Sequence, residues 1–476
     1  MDIEYQALWP VIIVAITSIV VLLQAAITRR HAVALGLTIV GLIAAFIAVI
    51  GVGPLLPQSV GVLLVMDGFA QFFMGLIIAA AIVTAVLGYA YLRRRNEQRE
   101  EFYIVLLLAT LGSMVLTAAS HFVTFFLGLE ILSVSLYVMI AYLTEELAAL
   151  EAGVKYLILA AASSAFLLFG MALIYAEFGT MQFGPLADAL AAAEDLSTPI
   201  VLVATALMLV GIGFKLAIVP FHVWTPDVYT GAPAPVTAFV ASVSKSAVFA
   251  LLLRYFFVTD GYQFDTVMIA LAVIAIASML IGNILALIQE NVKRILAYSS
   301  IAHLGYMLVA FIAGGDRALE AVAYYLIVYS LAVLGSFGII SLISPEGRER
   351  MSLEDFRGLF WQRPRLAIIF TILLLSLAGI PVTAGFVGKF YLVLAGVAAA
   401  HWVLVVVLAI ASLIGIYYYF RIMAVMYARR DTPAASTPTV SLSGATLLGL
   451  LAAATIYLGV YPDQLLLLIR RLVLTL

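Results

Sequence analysis

The amino-acid sequence predicts an all-α polytopic membrane protein with about fourteen transmembrane helices. Hydrophobic residues make up 65% of the 476 residues and charged residues only 11%, a balance far from that of soluble globular domains. The mean hydropathy is +1.18. A membrane-spanning helix needs about 20 mostly apolar residues, and successive apolar runs of that length fill most of the chain. Little of the sequence remains for a soluble domain.

The apolar runs give the predicted helices in chain order. Helices 1 to 7 are predicted at residues 7–28, 31–53, 68–92, 102–119, 121–143, 152–178 and 199–220. Helices 8 to 14 are predicted at residues 235–258, 265–288, 291–313, 317–343, 364–400, 401–428 and 440–469. Helix 12 is too long for one straight crossing, because about 20 residues suffice to span the bilayer.

The basic residues indicate an orientation. If the N-terminus lies outside, the outer connections carry only Arg254, Arg317, Arg470 and Arg471, and most other Lys and Arg residues fall on the inner side. Because cytoplasmic loops are enriched in Lys and Arg, both termini are expected on the outer side. The N-terminal stretch MDIEYQALWP lacks the basic segment of a secretory signal, so helix 1 is expected to be retained.

Proline interrupts two of the predicted helices. Because proline removes a backbone hydrogen-bond donor, Pro220 is expected to break helix 7 and Pro381 to break helix 12. Each proline lies close to a lysine. Broken helices at corresponding positions of two halves are typical of transporter repeats. The two breaks are five helices apart, which reverses direction across the membrane. Helices 4 to 8 and helices 9 to 13 are therefore predicted to form two inverted five-helix repeats.

This pattern divides the chain into four predicted segments. Residues 1–100 form an N-terminal three-helix segment, residues 101–260 the first repeat, residues 261–430 the second repeat, and residues 431–476 the C-terminal helix 14.

Four ionisable residues lie inside apolar runs: Glu130, Lys215, Lys245 and Lys389. A charged side chain at the bilayer centre costs at least about 2.5 to 3.5 kcal/mol, so such residues are usually enclosed by the helices and retained for function. Their placement predicts charge movement through the membrane. The structural alternatives are a static buried ion pair and lysines that bond backbone carbonyls of broken helices.

The sequence argues against several other classes of function. Cysteine is absent, which excludes cysteine-ligated iron–sulfur clusters, disulfides and cysteine-based zinc sites. No dinucleotide fingerprint or Walker A sequence is present. The scattered basic residues give no basis for nucleic-acid binding. We therefore expect neither a metal site nor a cofactor site in this chain.

Three long strings carry a resemblance to a known family. They are GFKLAIVPFHVWTPDVYTGAPAPVTAFVASVSKSAVFALLLR, NVKRILAYSSIAHLGYM and LAGIPVTAGFVGKF. With Pro, His, Trp, Asp and Lys at fixed spacing, they are far more specific than a short motif. The chain resembles the antiporter-like membrane subunits of respiratory complex I over roughly helices 4 to 13.

The resemblance implies a fourteen-helix fold with inverted repeats and a proton path. The path would use Glu130, Lys215, Lys245 and Lys389, with Glu130 paired to Lys215. It also implies a place in the membrane arm of proton-translocating NADH:quinone oxidoreductase, in a bacterial inner membrane. The partners would be the lipid bilayer and other membrane subunits, including paralogous antiporter-like ones. FMN and iron–sulfur clusters would belong to partner subunits.

Further residues have two readings each. His303 is suited to pass protons between Lys245 and Lys389, because histidine titrates near neutrality, and it is equally suited to a structural hydrogen bond. His222 and Asp227 follow Pro220 and either cap the broken helix or line the inner mouth of the path. Simple anchoring at the membrane edge is the preferred interpretation of three other cations: Lys155, Lys293 and Arg294. Interfacial or packing roles are expected for three tyrosines: Tyr417, Tyr418 and Tyr419.

Three alternative functions stay open. Subunits of multisubunit sodium/proton antiporters share the same strings, and a subunit of an ion-pumping hydrogenase-type complex is a second alternative. A structural spacer, whose buried charges only fix helix packing, is the third.

Overall fold

The computed structural model describes residues 3–95, 99–193, 198–345, 347–429 and 441–475. In these ranges, thirteen helices are long and apolar enough to cross a membrane. A further crossing, helix 12, is split into two shorter apolar halves. The prediction of an all-α membrane protein with about fourteen crossings is confirmed, and the chain is an integral membrane protein.

The first half contains helices 1 to 7 and one hairpin. The helices span Trp9–Ile27, His31–Gly51, Gly68–Leu92, Glu101–Ala118, Phe122–Ile140, Leu147–Phe178 and Pro199–Leu216. Strands β1 (Gln58–Val60) and β2 (Leu64–Met66) pair in antiparallel fashion between helices 2 and 3. Shorter helices lie at Ile3–Gln6, Phe183–Ala192 and Trp224–Gly231, with a 3-10 turn at Gly53–Leu55.

The second half contains helices 8 to 14. Helix 8 consists of Ala234–Phe239, a π turn at Val240–Ser244, and Lys245–Val258. Helices 9 to 11 span Asp265–Leu287, Val292–Ala313 and Gly315–Ile343. The halves of helix 12 span Pro364–Ala378 and Ala384–Ala398, helix 13 spans Trp402–Tyr427, and helix 14 spans Leu442–Val460. Short helical segments lie at Gly261–Gln263, Leu353–Phe356, Leu359–Gln362, Asp463–Leu472 and Val473–Thr475.

The three most enclosed helices form the centre of the protein. The share of the most apolar stretch that is buried inside the protein is 100% in helix 8, 94% in helix 10 and 89% in helix 11. The same share is 33% in helices 1, 2 and 13. A charged side chain on a central helix therefore faces other helices and not lipid, which is the arrangement that intramembrane charges require.

Helix 7 is broken as predicted, but it ends earlier than the predicted residue 220. It ends at Leu216 because Ala217 adopts a left-handed conformation with φ of +60°. The indole Nε1 of Trp224 donates to the carbonyl of Phe214 at 3.0 Å, which satisfies one of the carbonyls left open at a helix end. The backbone N–H of Val219 donates to Oγ of Ser278 at 2.9 Å. The irregular backbone is thus held by polar partners within the protein.

Helix 12 is also broken as predicted, after Ala378. Gly379 and Val382 in the break have φ values of +78° and +76°. Helix 14 packs directly against this segment at Gly459, where an added Cβ would lie 2.3 Å from the carbonyl oxygen of Val382. Glycine is needed there because any side chain would collide with the backbone of the break.

The end of helix 14 differs from the prediction. The predicted span runs to residue 469, but the helix ends at Val460, because Pro462 cannot continue it. Asp463–Leu472 forms a separate short helix that carries leucines together with Arg470 and Arg471. Residues 431 to 440, which include the predicted start of helix 14 and part of the predicted final segment, lie outside the described residues.

Candidate functional site

Lys215 lies in the last turn of helix 7, just before the break. Its side chain is buried, with 3% of the residue exposed, and its Nζ donates to Oγ of Ser133 on helix 5 at 2.6 Å. The ammonium also lies 5.4 Å from the ring centroid of Tyr156 and 5.6 Å from that of Phe214. Ring faces attract cations, so the charge is held by one hydroxyl and two aromatic rings.

Glu130 lies one turn before Ser133 on helix 5 and accepts a hydrogen bond of 2.5 Å from Oγ of Ser164 on helix 6. Among the described residues, no ion pair within 4.0 Å joins Glu130 to Lys215. The pairing implied by the resemblance is therefore not formed in this structure. The carboxylate binds Ser164 on helix 6 and the ammonium binds Ser133 on helix 5, an arrangement in which the pair is open.

Lys245 follows the π turn of helix 8 and is 1% exposed. Its Nζ donates to Oγ of Ser300 on helix 10 at 2.5 Å, and the same Oγ lies 2.6 Å from the hydroxyl of Tyr329 on helix 11. The hydroxyl of Tyr229 lies 3.5 Å from Ser300. π turns interrupt regular helix and are frequent at functional sites. Lys245 is thus linked by hydroxyls to the centre of the protein.

An aromatic cluster lies between Lys215 and Lys245. The ring centroids of Tyr156 and Trp224 are 4.9 Å apart, and those of Trp224 and Tyr229 are 6.5 Å apart. Lys245 Nζ lies 5.8 Å from the ring centroid of Tyr229. The two lysines therefore contact opposite ends of one cluster.

His303 lies one turn beyond Ser300 on helix 10 and is 2% exposed. Its Nδ1 lies 2.7 Å from the hydroxyl of Tyr325, and its Nε2 lies 3.0 Å from the hydroxyl of Tyr419. Tyr419 is in turn hydrogen-bonded to Ser299. A tyrosine hydroxyl both donates and accepts, so either neutral tautomer of the imidazole is satisfied. Ser300, which binds Lys245, lies one turn before His303, and Tyr306, which contacts Lys389, lies one turn after it, so the histidine lies between the contacts of the two lysines.

Lys389 bridges the break in helix 12. From the second half of the helix, its Nζ donates to the carbonyl of Ala378, the last residue of the first half, at 3.0 Å, and to Oγ of Ser412 on helix 13 at 2.8 Å. It lies 5.1 Å from the ring centroid of Tyr306. The hydrogen bond to Ala378 also fits the structural alternative, in which the lysine only anchors the broken helix.

A second set of hydrogen-bonded polar side chains surrounds Asn283 and reaches Lys389 through Tyr306. The Nδ2 of Asn283 donates to the hydroxyl of Tyr306 at 2.8 Å, and its Oδ1 accepts from the hydroxyl of Tyr418 at 3.0 Å. Asn283 is fully buried. Because Tyr306 also contacts Lys389, this group extends the polar interior toward helices 9 and 13.

Asp227 lies in an ion-pair cluster at the membrane edge where helices 6 and 10 begin. Its carboxylate is 3.0 Å from Nζ of Lys155 and 2.9 Å from Nη1 of Arg294. Burial raises the pKa of Asp227, but the hydrogen bonds from these two cations outweigh it, so that the pKa lies below its usual value. A cavity of 160 Å³ adjoins the cluster. This residue therefore fits the reading as part of the mouth of the path.

His222 stands apart from that cluster. No hydrogen bond or ion pair of the described residues joins it to Asp227. Its Nδ1 is buried and has no hydrogen-bond partner within the described part of the chain. The backbone carbonyl of His222 accepts from the N–H of Thr225 at 2.9 Å, which is a turn contact of the broken helix.

Comparison with known proteins identifies the family. A family model described as NADH:quinone oxidoreductase/Mrp antiporter, TM, matches residues 119–448. A curated relative, NADH-quinone oxidoreductase subunit N of Ectopseudomonas mendocina (strain ymp), is 46% identical over 473 residues, which cover 97% of this chain and 94% of the relative. The chain belongs to this family of antiporter-like membrane subunits. The resemblance expected from the sequence is confirmed.

Solved structures agree with the family assignment. A chain of respiratory complex I from Thermus thermophilus with bound aureothin matches with a TM-score of 0.83 and 33% identity, covering 96% of this antiporter-like subunit and 98% of that chain. A chain of the archaeal membrane-bound sulfane sulfur reductase matches with a TM-score of 0.84 and 25% identity, covering 98% of this subunit and 96% of that chain. A chain of the Mrp complex from Dietzia sp. DQ12-45-1b matches with a TM-score of 0.86, covering 98% of this subunit and 96% of that chain. Its identity is 22%, so this match shows a shared fold alone.

Two buried ion pairs of the antiporter-like subunit were not predicted from the sequence. Arg254, which the orientation places on an outer loop, is 3% exposed and binds both carboxylate oxygens of Asp67, each at 2.7 Å. Lys293, read as an anchor at the membrane edge, is fully buried and lies 2.7 Å from Glu349. No local sequence signal predicts these pairs, because their members lie on distant parts of the chain.

Interfacial or packing roles were expected for the tyrosines of helix 13, and two of them also make buried hydrogen bonds. Tyr418 and Tyr419 face the polar interior through Asn283 and His303, whereas Tyr417 is 64% exposed. A signal was available on helix 10. Ser299, His303 and Tyr306 recur at spacings of four and three, which places them on one helix face.

Arg421 caps the end of helix 9. Its Nη1 donates to the carbonyls of Leu287 and Gln289, each at 3.0 Å. In the described ranges, no group of three or more His, Cys, Asp or Glu side chains is placed to hold a metal ion.

Proposed function

We propose that this chain is a proton-translocating membrane-arm subunit of NADH:quinone oxidoreductase. The observation that carries the proposal is the series of titratable side chains from the half-buried Glu130 to the buried Lys389, in a chain 46% identical to a protein named as that subunit. The chain conducts protons. NADH oxidation and quinone reduction take place in partner subunits that hold FMN and iron–sulfur clusters, next to paralogous antiporter-like subunits.

The path begins at the ion-pair cluster of Asp227 and passes Lys215, Lys245 and His303 to Lys389. Each of the three lysines donates to a serine hydroxyl: Ser133, Ser300 and Ser412. Hydroxyls donate and accept in turn, so protons move between the lysines through hydroxyls, His303 and water.

Formation and opening of an ion pair between Glu130 and Lys215 act as the switch. At 4 Å and an effective dielectric constant near 20, two unit charges attract by about 4 kcal/mol. Moving one proton against 100 mV takes about 2.3 kcal/mol. Closing the pair would hold the proton on Lys215, and opening it, as in this structure, allows the proton to pass to Lys245.

Two repeats place these residues on opposite halves of the protein. We propose that residues 101–260 and 261–430 are the inverted repeats, with 1–100 and 431–476 as the flanking segments. The glycine contacts support this assignment. Helices 4 and 5 approach closely at Gly112 and Gly128, and helices 9 and 10 approach closely at Gly282 and Gly305. We also assign the chain to a bacterial inner membrane, with both termini on the outer side.

Affinity purification of the tagged full chain from its own membranes tests the partner assignment. We expect it to copurify with the NADH-oxidising subunits and to show NADH-driven proton uptake in vesicles. Purification with sodium/proton antiporter subunits and without NADH oxidation would overturn the assignment. The function as a sodium/proton antiporter subunit is favoured less, because the sequence identity to the matching chain of the Mrp complex is 22%.

A further inference from the structure

Glu320 and Arg470 form an ion pair at the N-terminal end of helix 11. Nε and Nη2 of Arg470 lie 3.0 Å and 2.8 Å from the two carboxylate oxygens of Glu320. The Glu320 side chain is 10% exposed and the Arg470 side chain 52%. The carboxylate therefore lies inside the protein, while its partner faces solvent. This pair marks the boundary between the interior and the outer solution.

A column of tyrosines connects this boundary to the buried polar interior. Tyr324 lies one turn beyond Glu320 on helix 11, and the next residue, Tyr325, binds His303 at 2.7 Å. The rings of Tyr324 and Tyr391 are 6.0 Å apart. Residues four apart share a helix face, so Glu320 and Tyr324 lie above one another along the same side of helix 11.

Gly388, the chain neighbour of Lys389, packs against helix 11 at Tyr324 and Tyr325. A Cβ added at Gly388 would lie 2.7 Å from the ring of Tyr325 and 3.5 Å from that of Tyr324. The backbone next to Lys389 thus packs directly on the tyrosine column. The hydroxyl of Tyr324 donates to the carbonyl of Leu458 at 2.8 Å, which holds helix 14 against the outer side of this column.

We propose that Glu320 is the carboxylate that receives protons from the path and releases them to the outer solution, and that Arg470 positions it. This inference rests on the proposed function. A proton that leaves Lys389 binds a carboxylate oxygen of Glu320 and neutralises it, which weakens its hold on Arg470. Loss of the proton to external water restores the carboxylate, and the ion pair forms again. The cycle leaves no other chemical change.

The competing explanation is that the pair only holds the helix Asp463–Leu472 in place. The two explanations differ in what they require. Proton release requires a carboxylate at position 320 and tolerates a weaker contact with residue 470. A mechanical contact requires both partners equally. Three variants in the assembled complex separate these cases: Glu320→Gln, Glu320→Asp and Arg470→Gln.

The measurement is the rate of NADH-driven proton translocation, in vesicles that contain the assembled complex. We expect Glu320→Gln to lower this rate more than about tenfold, as for loss of a proton-transfer group. Glu320→Asp and Arg470→Gln retain a carboxylate and should pump within about twofold of the unchanged complex. The control is Glu101→Gln, which breaks the partly exposed pair with Arg29 on the other side of the membrane.

Two results would overturn the inference. The first is normal pumping by Glu320→Gln. The second is an equal loss of pumping in Glu320→Asp and Arg470→Gln, which would show a mechanical contact even if the complex with Glu320→Gln does not assemble. Lys389→Ala, measured alongside, separates this inference from the proposed function. If Lys389→Ala abolishes pumping and Glu320→Gln does not, only the exit assignment fails. If Lys389→Ala pumps normally, the path itself is wrong.

Discussion

The ammonium of Lys245 donates a 2.5 Å hydrogen bond to Oγ of Ser300, one helical turn before His303. This contact joins helix 8 to helix 10 in the most enclosed part of the protein. It places a lysine of the first proposed repeat against the relay residues of the second. The two halves of the proposed path therefore meet at a single hydroxyl.

Replacing Ser300 tests that junction. Ser300→Ala removes the acceptor of Lys245 and the partner of Tyr329. A hydrogen bond to a charged group contributes about 1.5 to 3 kcal/mol, so we expect the rate of NADH-driven proton translocation in vesicles to fall about tenfold. The control is Ser336→Ala, which removes a buried serine whose hydrogen bond, within the described part of the chain, stays in its own helix, to the carbonyl of Ala332 at 2.7 Å. Equal pumping by the two variants would contradict the prediction.

A second prediction concerns whether Lys215 must lose its proton. Lys215→Arg retains the positive charge, but a guanidinium is not deprotonated in proteins. We expect both Lys215→Arg and Lys215→Ala to abolish NADH-driven proton uptake. Glu130→Ala should also lower it sharply, because the switch is lost. Arg348→Lys, at a side chain that is 75% exposed, is the matched exchange of cations.

The structural reading gives the opposite result for Lys215→Arg. If the lysine only holds helices 5 and 7 together through Ser133, a retained charge preserves most of the pumping. Uptake close to normal in Lys215→Arg, with loss in Lys215→Ala, would therefore assign Lys215 to packing.

The sequence predicts the helices well and the contacts between them poorly. Apolar runs and the prolines at 220 and 381 are local signals, so the crossings and both breaks were predicted. The Arg254 pair with Asp67 joins residues 187 positions apart. Such a contact depends on how helices pack, which hydropathy does not encode. The same holds for Tyr419, whose hydroxyl reaches His303 from helix 13.

The buried pair of Asp67 and Arg254 is expected to be essential for stability. Arg254→Ala leaves a buried carboxylate without its partner, which costs about 3 to 5 kcal/mol. We expect a loss of that size in the free energy of unfolding, measured by denaturant titration of the full chain in detergent micelles. Arg357→Ala, which breaks the exposed pair with Glu354, should change it by less than about 1 kcal/mol. Similar values for the two variants would contradict the prediction.

Helix 14 offers a test of the break in helix 12, because two of its glycines differ in their surroundings. An added Cβ at Gly459 would lie 2.3 Å from the carbonyl oxygen of Val382, whereas one at Gly449 would lie 4.0 Å from Ile369. Overpacking costs about 1 to 3 kcal/mol, and here the colliding atoms are backbone atoms of the break. We expect Gly459→Ala to lower the free energy of unfolding by about that amount and to reduce pumping, because the break that holds Lys389 must shift. Gly449→Ala should leave both unchanged. Normal pumping by Gly459→Ala would mean that the position of helix 14 does not control the geometry around Lys389.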